Sequence, residues 1–280
     1  MEHQDLGPLL YEVDGPVARI VLNDPARANS QTSEMVHAFD DALTLADRDY
    51  AVKVVVIKAN GKGFCAGHAA GGGYEYPEFA ENMEHWDSVW KAQSDLFLWP
   101  TLRLWEFRKP TLAQVHGYAL GGGTYWALLP DMTIAADDAY FQMPLVQGLG
   151  FPGGETMIEP WLFMNWKRTY EYLYTAQTIT ADEALALGMV NRVVPRAELD
   201  ATVEELAAHI ARAPLSTLMA TKQLVSRAWE LMGMRMHLQM STDVMAVTAH
   251  TSDARAVRTA MMERGMRPRQ HAAGDVEQED

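Results

Sequence analysis

The sequence contains one cysteine, Cys65, in 280 residues. A single thiol can close no disulfide within the chain and can build no cysteine-based metal cluster, so a reducing cytoplasmic setting is expected. Cys65 could be read as a nucleophile. It lies, however, in the apolar stretch Gly63-Phe64-Cys65-Ala66-Gly67, where a free thiol is expected to be buried and structural. Long apolar runs are also missing. None approaches the roughly 18 residues that a membrane span needs, and the opening Met1-Glu2-His3-Gln4-Asp5 has no apolar core of a signal peptide. Positive charge is scarce: 23 Lys and Arg against 37 Asp and Glu, a net charge of −14. That excludes the broad basic face used for non-specific nucleic-acid binding, while a few local cations can still hold an anionic small ligand. No internal repeat is present. The only biased segment is the polar, acidic stretch 268–280, expected to be a disordered tail.

Hydrophobic residues make up 48% of the chain, enough for a sizeable core, and the length fits one large domain or a domain plus an appendage. Two short β-branched runs, Pro16–Leu22 and Val52–Lys58, read as strands. Between them Thr32–Asp47 has helical spacing, with Met35, Phe39, Leu43 and Ala46 on one face and Thr32 or Ser33 as cap. This β-α-β order favours a sheet with crossover helices. Helical character is expected again over about 79–104. Strands follow at 110–115, 132–136 and 139–143, with a helix over 124–129. Thr180-Ala181-Asp182-Glu183 starts a capped helix with an acidic first turn, and Gly188 ends it. A short strand spans 191–194, and amphipathic helices then run to about residue 262.

Two glycine-containing turns each follow a strand: Ala66-Gly67-His68 and Gly121-Gly122-Gly123. Glycine lets the backbone take conformations closed to other residues and lets a ligand approach the amides. Two such turns could aim amides at one oxygen and stabilise an enolate or tetrahedral oxyanion. The same glycines could equally serve tight strand-to-helix packing.

Several segments, in order, carry a resemblance. Ala28-Asn29 lies in an early loop. Gly63-Phe64-Cys65-Ala66-Gly67-His68 is similar to an F-x-A-G-x-D loop. Lys109-Pro110-Thr111 and Val115 to Gly123 form a strand and turn, followed by a helix and Asp131. Ala181 to Asn191 is similar to an A-x-x-A-x-x-x-G-L-V-N segment. Together these resemble the crotonase (enoyl-CoA hydratase/isomerase) superfamily over about residues 8–267. The resemblance implies an α/β fold, a β-β-α spiral over 1–200 holding the acyl-CoA site. A helical region at 201–267 would pack on neighbouring subunits of a homotrimer or homohexamer. It implies an acyl-CoA thioester as substrate, with coenzyme A as part of that substrate and no separate cofactor. It also implies backbone donors at His68 and Gly122 for the thioester oxygen. Backbone around Ala28 and Ala66 would contact coenzyme A, and Lys222 would lie near the nucleotide, where a solvated helix face is the alternative. The His68 imidazole could act as a base, but the family uses that position's amide, which favours a role in shaping the mouth of the site.

The sequence departs from the family at two positions. Hydratases of the family carry a glutamate in G-G-G-x-E, and here that position is Tyr125. The second glutamate follows a proline, and here Pro144 is followed by Leu145. General acid–base catalysis needs a titratable group within reach of the proton. Leu145 has none, and a tyrosine, with a reference pKa of about 10, is a poor base near neutral pH. Glu155 is the first substitute, with Glu159, Glu75, Glu84 and His85 behind it. Glu155 could instead complement a helix start. Aromatic residues Tyr74, Tyr76, Trp86, Trp90 and Trp126 could wall a pocket for a bulky acyl group, or simply pack the core. Three functions follow: an acyl-CoA lyase or hydratase-like enzyme with a displaced acid–base group, an isomerase or C–C hydrolase using Glu155, and a non-catalytic acyl-CoA binding protein.

Overall fold

The structure is a computed structural model that describes residues 2–69, 86–154 and 156–263. Strands β1 (Glu2–Asp5), β2 (Leu9–Asp14), β3 (Val17–Leu22), β4 (Val54–Ala59), β5 (Thr111–Val115), β7 (Met132–Ala136) and β10 (Arg192–Val194) form one seven-stranded sheet in the order β1-β2-β3-β4-β5-β7-β10. The first three strands pair antiparallel, and β3 through β10 pair parallel. A second sheet of β6 (Tyr118–Leu120), β8 (Tyr140–Gln142) and β9 (Ile179–Thr180) lies in the order β6-β8-β9.

The central strands are apolar on both faces because both faces are covered. Ala18, Ile20, Leu22, Val55 and Ile57 pack against Met35, Phe39, Leu43 and Ala46 of the helix Ser33–Arg48. The alternate residues Val17, Val54, Val56, Leu112 and Ile134 pack on the other side against Leu199, Val203 and Ala207 of the helix Leu199–Ile210. The boundary expected at residue 200 therefore falls inside a helix that belongs to the sheet.

Most local expectations agree with the structure. Thr32, rather than Ser33, caps the first helix, accepting from the Met35 N–H. Thr180 and Glu183 form a reciprocal capping box. Four helices occupy 199–263: Leu199–Ile210, Leu215–Leu231, Met234–Thr248 and Ser252–Glu263. The helical stretch expected over 79–104 is described from Trp86, as a helix to Gln93, a π-helical turn over Ser94–Leu98, and a helix Trp99–Trp105. Strands β1, β2, β6 and β9 are additions to the sequence reading. β1 is a polar edge strand, and β6 and β9 are two or three residues long, too short to show a period. The stretch 268–280 and residues Tyr74, Glu75, Tyr76, Glu84 and His85 lie outside the described residues. No described helix is long and apolar enough to cross a membrane.

Candidate functional site

The loop after β4 runs alongside β6. The Phe64 and Cys65 N–H groups donate to the Tyr118 carbonyl at 2.9 and 3.1 Å, and Leu120 N–H donates to Cys65 O at 3.0 Å. This pairing brings the first glycine turn against the second. A Cβ on Gly67 would lie 2.6 Å from Leu120 O and 3.1 Å from Gly122 N, and one on Gly123 would lie 2.5 Å from Cys65 O. Both glycines are thus required by close backbone approach.

Asn29, buried and in the left-handed region at φ 53°, holds this loop in place. Its Nδ2 donates to the carbonyls of Asn60 (2.8 Å), Gly63 (3.2 Å) and Phe64 (3.2 Å), and its Oδ1 accepts from Asp24 N–H. Neighbouring Ala28, also left-handed at φ 56°, accepts through its carbonyl from Ala66 N–H at 3.1 Å. The structure therefore brings Ala28 and Ala66 together, across 38 positions of sequence (66 − 28).

Peptide geometry then sets the direction of two N–H groups. No described peptide bond is cis, so in each the C=O and N–H point opposite ways. Gly67 O accepts from Gln31 N–H at 2.8 Å, which turns the His68 N–H away from Gln31. Gly121 O accepts from the N–H and Oγ1 of Thr124 at 2.9 and 2.7 Å, which turns the Gly122 N–H away from the helix Gly122–Leu128. No described residue accepts from the Gly122 N–H.

Both ring nitrogens of His68 are buried, while the residue as a whole is half-buried. Its ring lies 3.9 Å from that of Phe97, and a Cβ on Gly122 would stand 2.6 Å from its Nε2. Burial pushes its pKa down to about 3, so the imidazole is neutral at physiological pH. A general base works best with a pKa near the working pH; the His68 ring is far from that, and it packs between Phe97 and the Gly122 α-carbon. Cys65 is wholly buried, its Sγ accepts from Gly67 N–H at 3.4 Å, and desolvation raises the thiol to about 12. The structural reading of this cysteine holds.

Tyr125 and Leu145 have apolar or packed surroundings. Tyr125 is buried, and its hydroxyl covers the α-carbon of Gly154, where a Cβ would stand 1.3 Å from it. Leu145 starts the helix Leu145–Leu149 and belongs to the main core. Glu155 lies outside the described residues, between buried Gly154 and Thr156. Glu159 begins the helix Glu159–Phe163 and is buried. Burial, and secondarily the Glu159 carboxylate, drives the Tyr172 hydroxyl well above the ordinary phenol range.

Three other residues have definite surroundings. Trp126 packs the core, one of the two readings its sequence allowed, and stacks on Phe39, rings 4.2 Å apart and 9° from parallel. Adjacent residues on a helix point about 100° apart, so Tyr125 and Trp126 cannot face the same space. Trp90 is 43% exposed and donates through Nε1 to Asp243 Oδ1 at 2.7 Å, tying two helices together. Trp86 starts a helix; its side chain is outside the description. Lys222 is not on a solvated face. Its ammonium is buried, 3.0 Å from Asp131, and donates to Lys109 O and Thr111 Oγ1. Asp131 in turn accepts from Thr111 N–H at 2.8 Å. Desolvation lowers the Lys222 pKa, against the opposing pull of Asp131. Lys222 locks the helix Leu215–Leu231 to the start of β5.

A mixed sheet whose loops bring two glycine turns together defines an α/β domain. Comparison with known proteins agrees. Residues 12–270 match the enoyl-CoA hydratase/isomerase family. The chain is 34% identical over 206 residues to crotonyl-CoA hydratase of Syntrophomonas wolfei, covering 72% of this chain and 75% of that protein. It is 29% identical over 266 residues to short-chain-enoyl-CoA hydratase of Clostridium acetobutylicum, covering 93% and 96%. The crystal structure of an enoyl-CoA hydratase/isomerase from Xanthobacter autotrophicus superposes with a TM-score of 0.80 at 30% identity, covering 94% and 95%. The chain belongs to the enoyl-CoA hydratase/isomerase family of the crotonase superfamily.

Proposed function

We propose that this protein is an acyl-CoA enzyme in which the N–H groups of His68 and Gly122 converge on the thioester oxygen. The observation that carries the reading is the fixing of both peptides from behind, Gly67 O on Gln31 and Gly121 O on Thr124. Donors held in advance stabilise the negative charge that develops on that oxygen without reorganising during the reaction. Backbone at Ala28 and Ala66 contacts coenzyme A.

Tyr125 and Leu145 in place of the two glutamates argue against efficient hydration, which needs one group to activate water and another to deliver a proton. Isomerisation of a 3-enoyl-CoA needs only one. A carboxylate takes a proton from C2, the enolate oxygen rests on the two N–H groups, and the same carboxyl returns the proton to C4. The double bond moves from C3–C4 to C2–C3 with no net gain or loss of atoms. Glu155 is the residue we assign to that proton transfer, and a C–C hydrolase is the other reaction served by one carboxylate and the same donors.

The helix Leu215–Leu231 has no buried residue, and with the next helix it exposes Leu224, Leu231, Met232, Met236, Met240 and Val247. An apolar surface of this extent supports assembly into a trimer or hexamer.

The test is turnover of 3-enoyl-CoA and crotonyl-CoA by the purified protein and by Glu155→Gln. Isomerisation lost in Glu155→Gln, with acyl-CoA binding kept, is the expected result. Rapid crotonyl-CoA hydration would refute the assignment of the acids, and binding without turnover across an acyl-CoA panel would make the protein a binding module.

A further inference from the structure

We infer that Gln31 is the positioning residue of the two-donor site, setting the aim of both N–H groups; this rests on the reading of His68 and Gly122 as donors to a thioester oxygen. Gln31 is buried in the short link between Asn29 and the helix Ser33–Arg48, and it is bonded to both turns at once. Its N–H donates to Gly67 O at 2.8 Å and its carbonyl accepts from Ala69 N–H at 3.1 Å. These two bonds bracket His68, fixing the peptide on either side of it. Its side-chain Nε2 donates to Gly122 O at 3.1 Å. Thr124 holds the peptide before Gly122 and Gln31 holds the peptide after it, so together they fix both backbone torsions of a residue that is otherwise permissive.

The side chain is oriented without ambiguity. The Gly122 carbonyl can only accept, so the NH2 end of the amide faces it. The Oε1 then lies over the Gly122 α-carbon, 2.4 Å from where a Cβ would stand, and it has no partner among the described residues. Stability alone does not explain a glutamine here. The single hydrogen bond from Nε2 is offset by a buried acceptor left unmatched, and an apolar side chain of the same volume would avoid that cost. An apolar side chain would leave the Gly122 carbonyl to the helix Gly122–Leu128 alone, without the added bond from Gln31.

The test uses acetoacetyl-CoA, a β-ketoacyl thioester whose enolate absorbs in the near ultraviolet. Bound to the wild-type protein it should show a larger enolate fraction than free in solution at the same pH. Gln31→Met keeps volume and the backbone bonds but removes the amide. Complete loss of an oxyanion donor costs about 10²–10³ in rate, so a misaimed donor should lower the bound enolate-to-keto ratio by about tenfold or more. The affinity for coenzyme A itself should not change, whereas a merely structural role would weaken both together. Gln31→Leu serves if Gln31→Met does not keep its near-ultraviolet circular dichroism. An unchanged enolate ratio in a folded variant overturns the role of Gln31 while leaving the two-donor reading intact. A wild-type protein that binds acetoacetyl-CoA without any enolate enrichment overturns both.

Discussion

Acidification should destabilise this protein through His68, and the size of the effect follows from its burial. The unfolded chain takes up a proton on this imidazole near the ordinary value of 6.5, whereas the folded protein resists until about 3. Between those values the unfolded state binds more protons, so stability rises with pH across that window. The contribution is complete above 6.5, is lost progressively as pH falls, and changes no further below about 3. The full gap of about 3.5 units corresponds to a ceiling of roughly 5 kcal/mol at 1.36 kcal/mol per unit. Roughly 3 kcal/mol of that should be gone by pH 4. This is a large part of the 5–15 kcal/mol typical of a folded domain. The perturbation is His68→Phe, which keeps an aromatic ring against Phe97, keeps the backbone N–H, and removes the titrating group. Urea unfolding of both proteins at several values from pH 7 to 4 separates this imidazole from the many carboxylates common to both. The stability difference between variant and wild type should move in favour of the variant by about 3 kcal/mol on going from pH 7 to 4. Parallel stability curves would refute the claim that His68 is held neutral by burial, and would reopen a role for it as a base.

Three further outcomes are expected. The Cys65 thiol, buried and raised to about 12, should not react with an aromatic disulfide reagent in the native protein and should react once per chain in denaturant; fast native reaction would place it at the surface. Gly154→Ala should lower stability by about 1–3 kcal/mol through overpacking against the Tyr125 hydroxyl. Tyr125→Phe should recover part of that loss in the double variant, since the ring Cζ stays 2.6 Å from the new Cβ, and strictly additive thermal shifts would show that the two residues do not touch. Lys222→Met should cost about 2–4 kcal/mol in chemical denaturation by stranding Asp131, below the value for a fully buried pair because Asp131 keeps some solvent contact. Adding Asp131→Asn should restore part of it; a Lys222→Met protein as stable as wild type would return Lys222 to a peripheral role.

Some of this protein is written locally and could be read without coordinates. The β-branched runs that became β3, β4 and β7, the helix capped by Thr32, and the Thr180–Glu183 capping box all depend on neighbours within a few positions, where periodicity and capping chemistry act. The glycine turns were legible for the same reason, as residue types at fixed spacing, whereas the expectation of glutamates at 125 and 145 came only from the resemblance to the family. The support behind the turns was not. Gln31 meets Gly122 across 91 positions, Asn29 meets Phe64 across 35, and Lys222 meets Asp131 across 91 (222 − 131). Nothing periodic links such pairs, because they meet only when the sheet order carries their loops to one edge. Likewise, composition could supply aromatic residues but could not say that Trp126 turns into the core while Tyr125 covers Gly154; helix phase against its neighbours decided it. A buried polar side chain is explained by its partner, and in a mixed α/β fold the partner is chosen by topology.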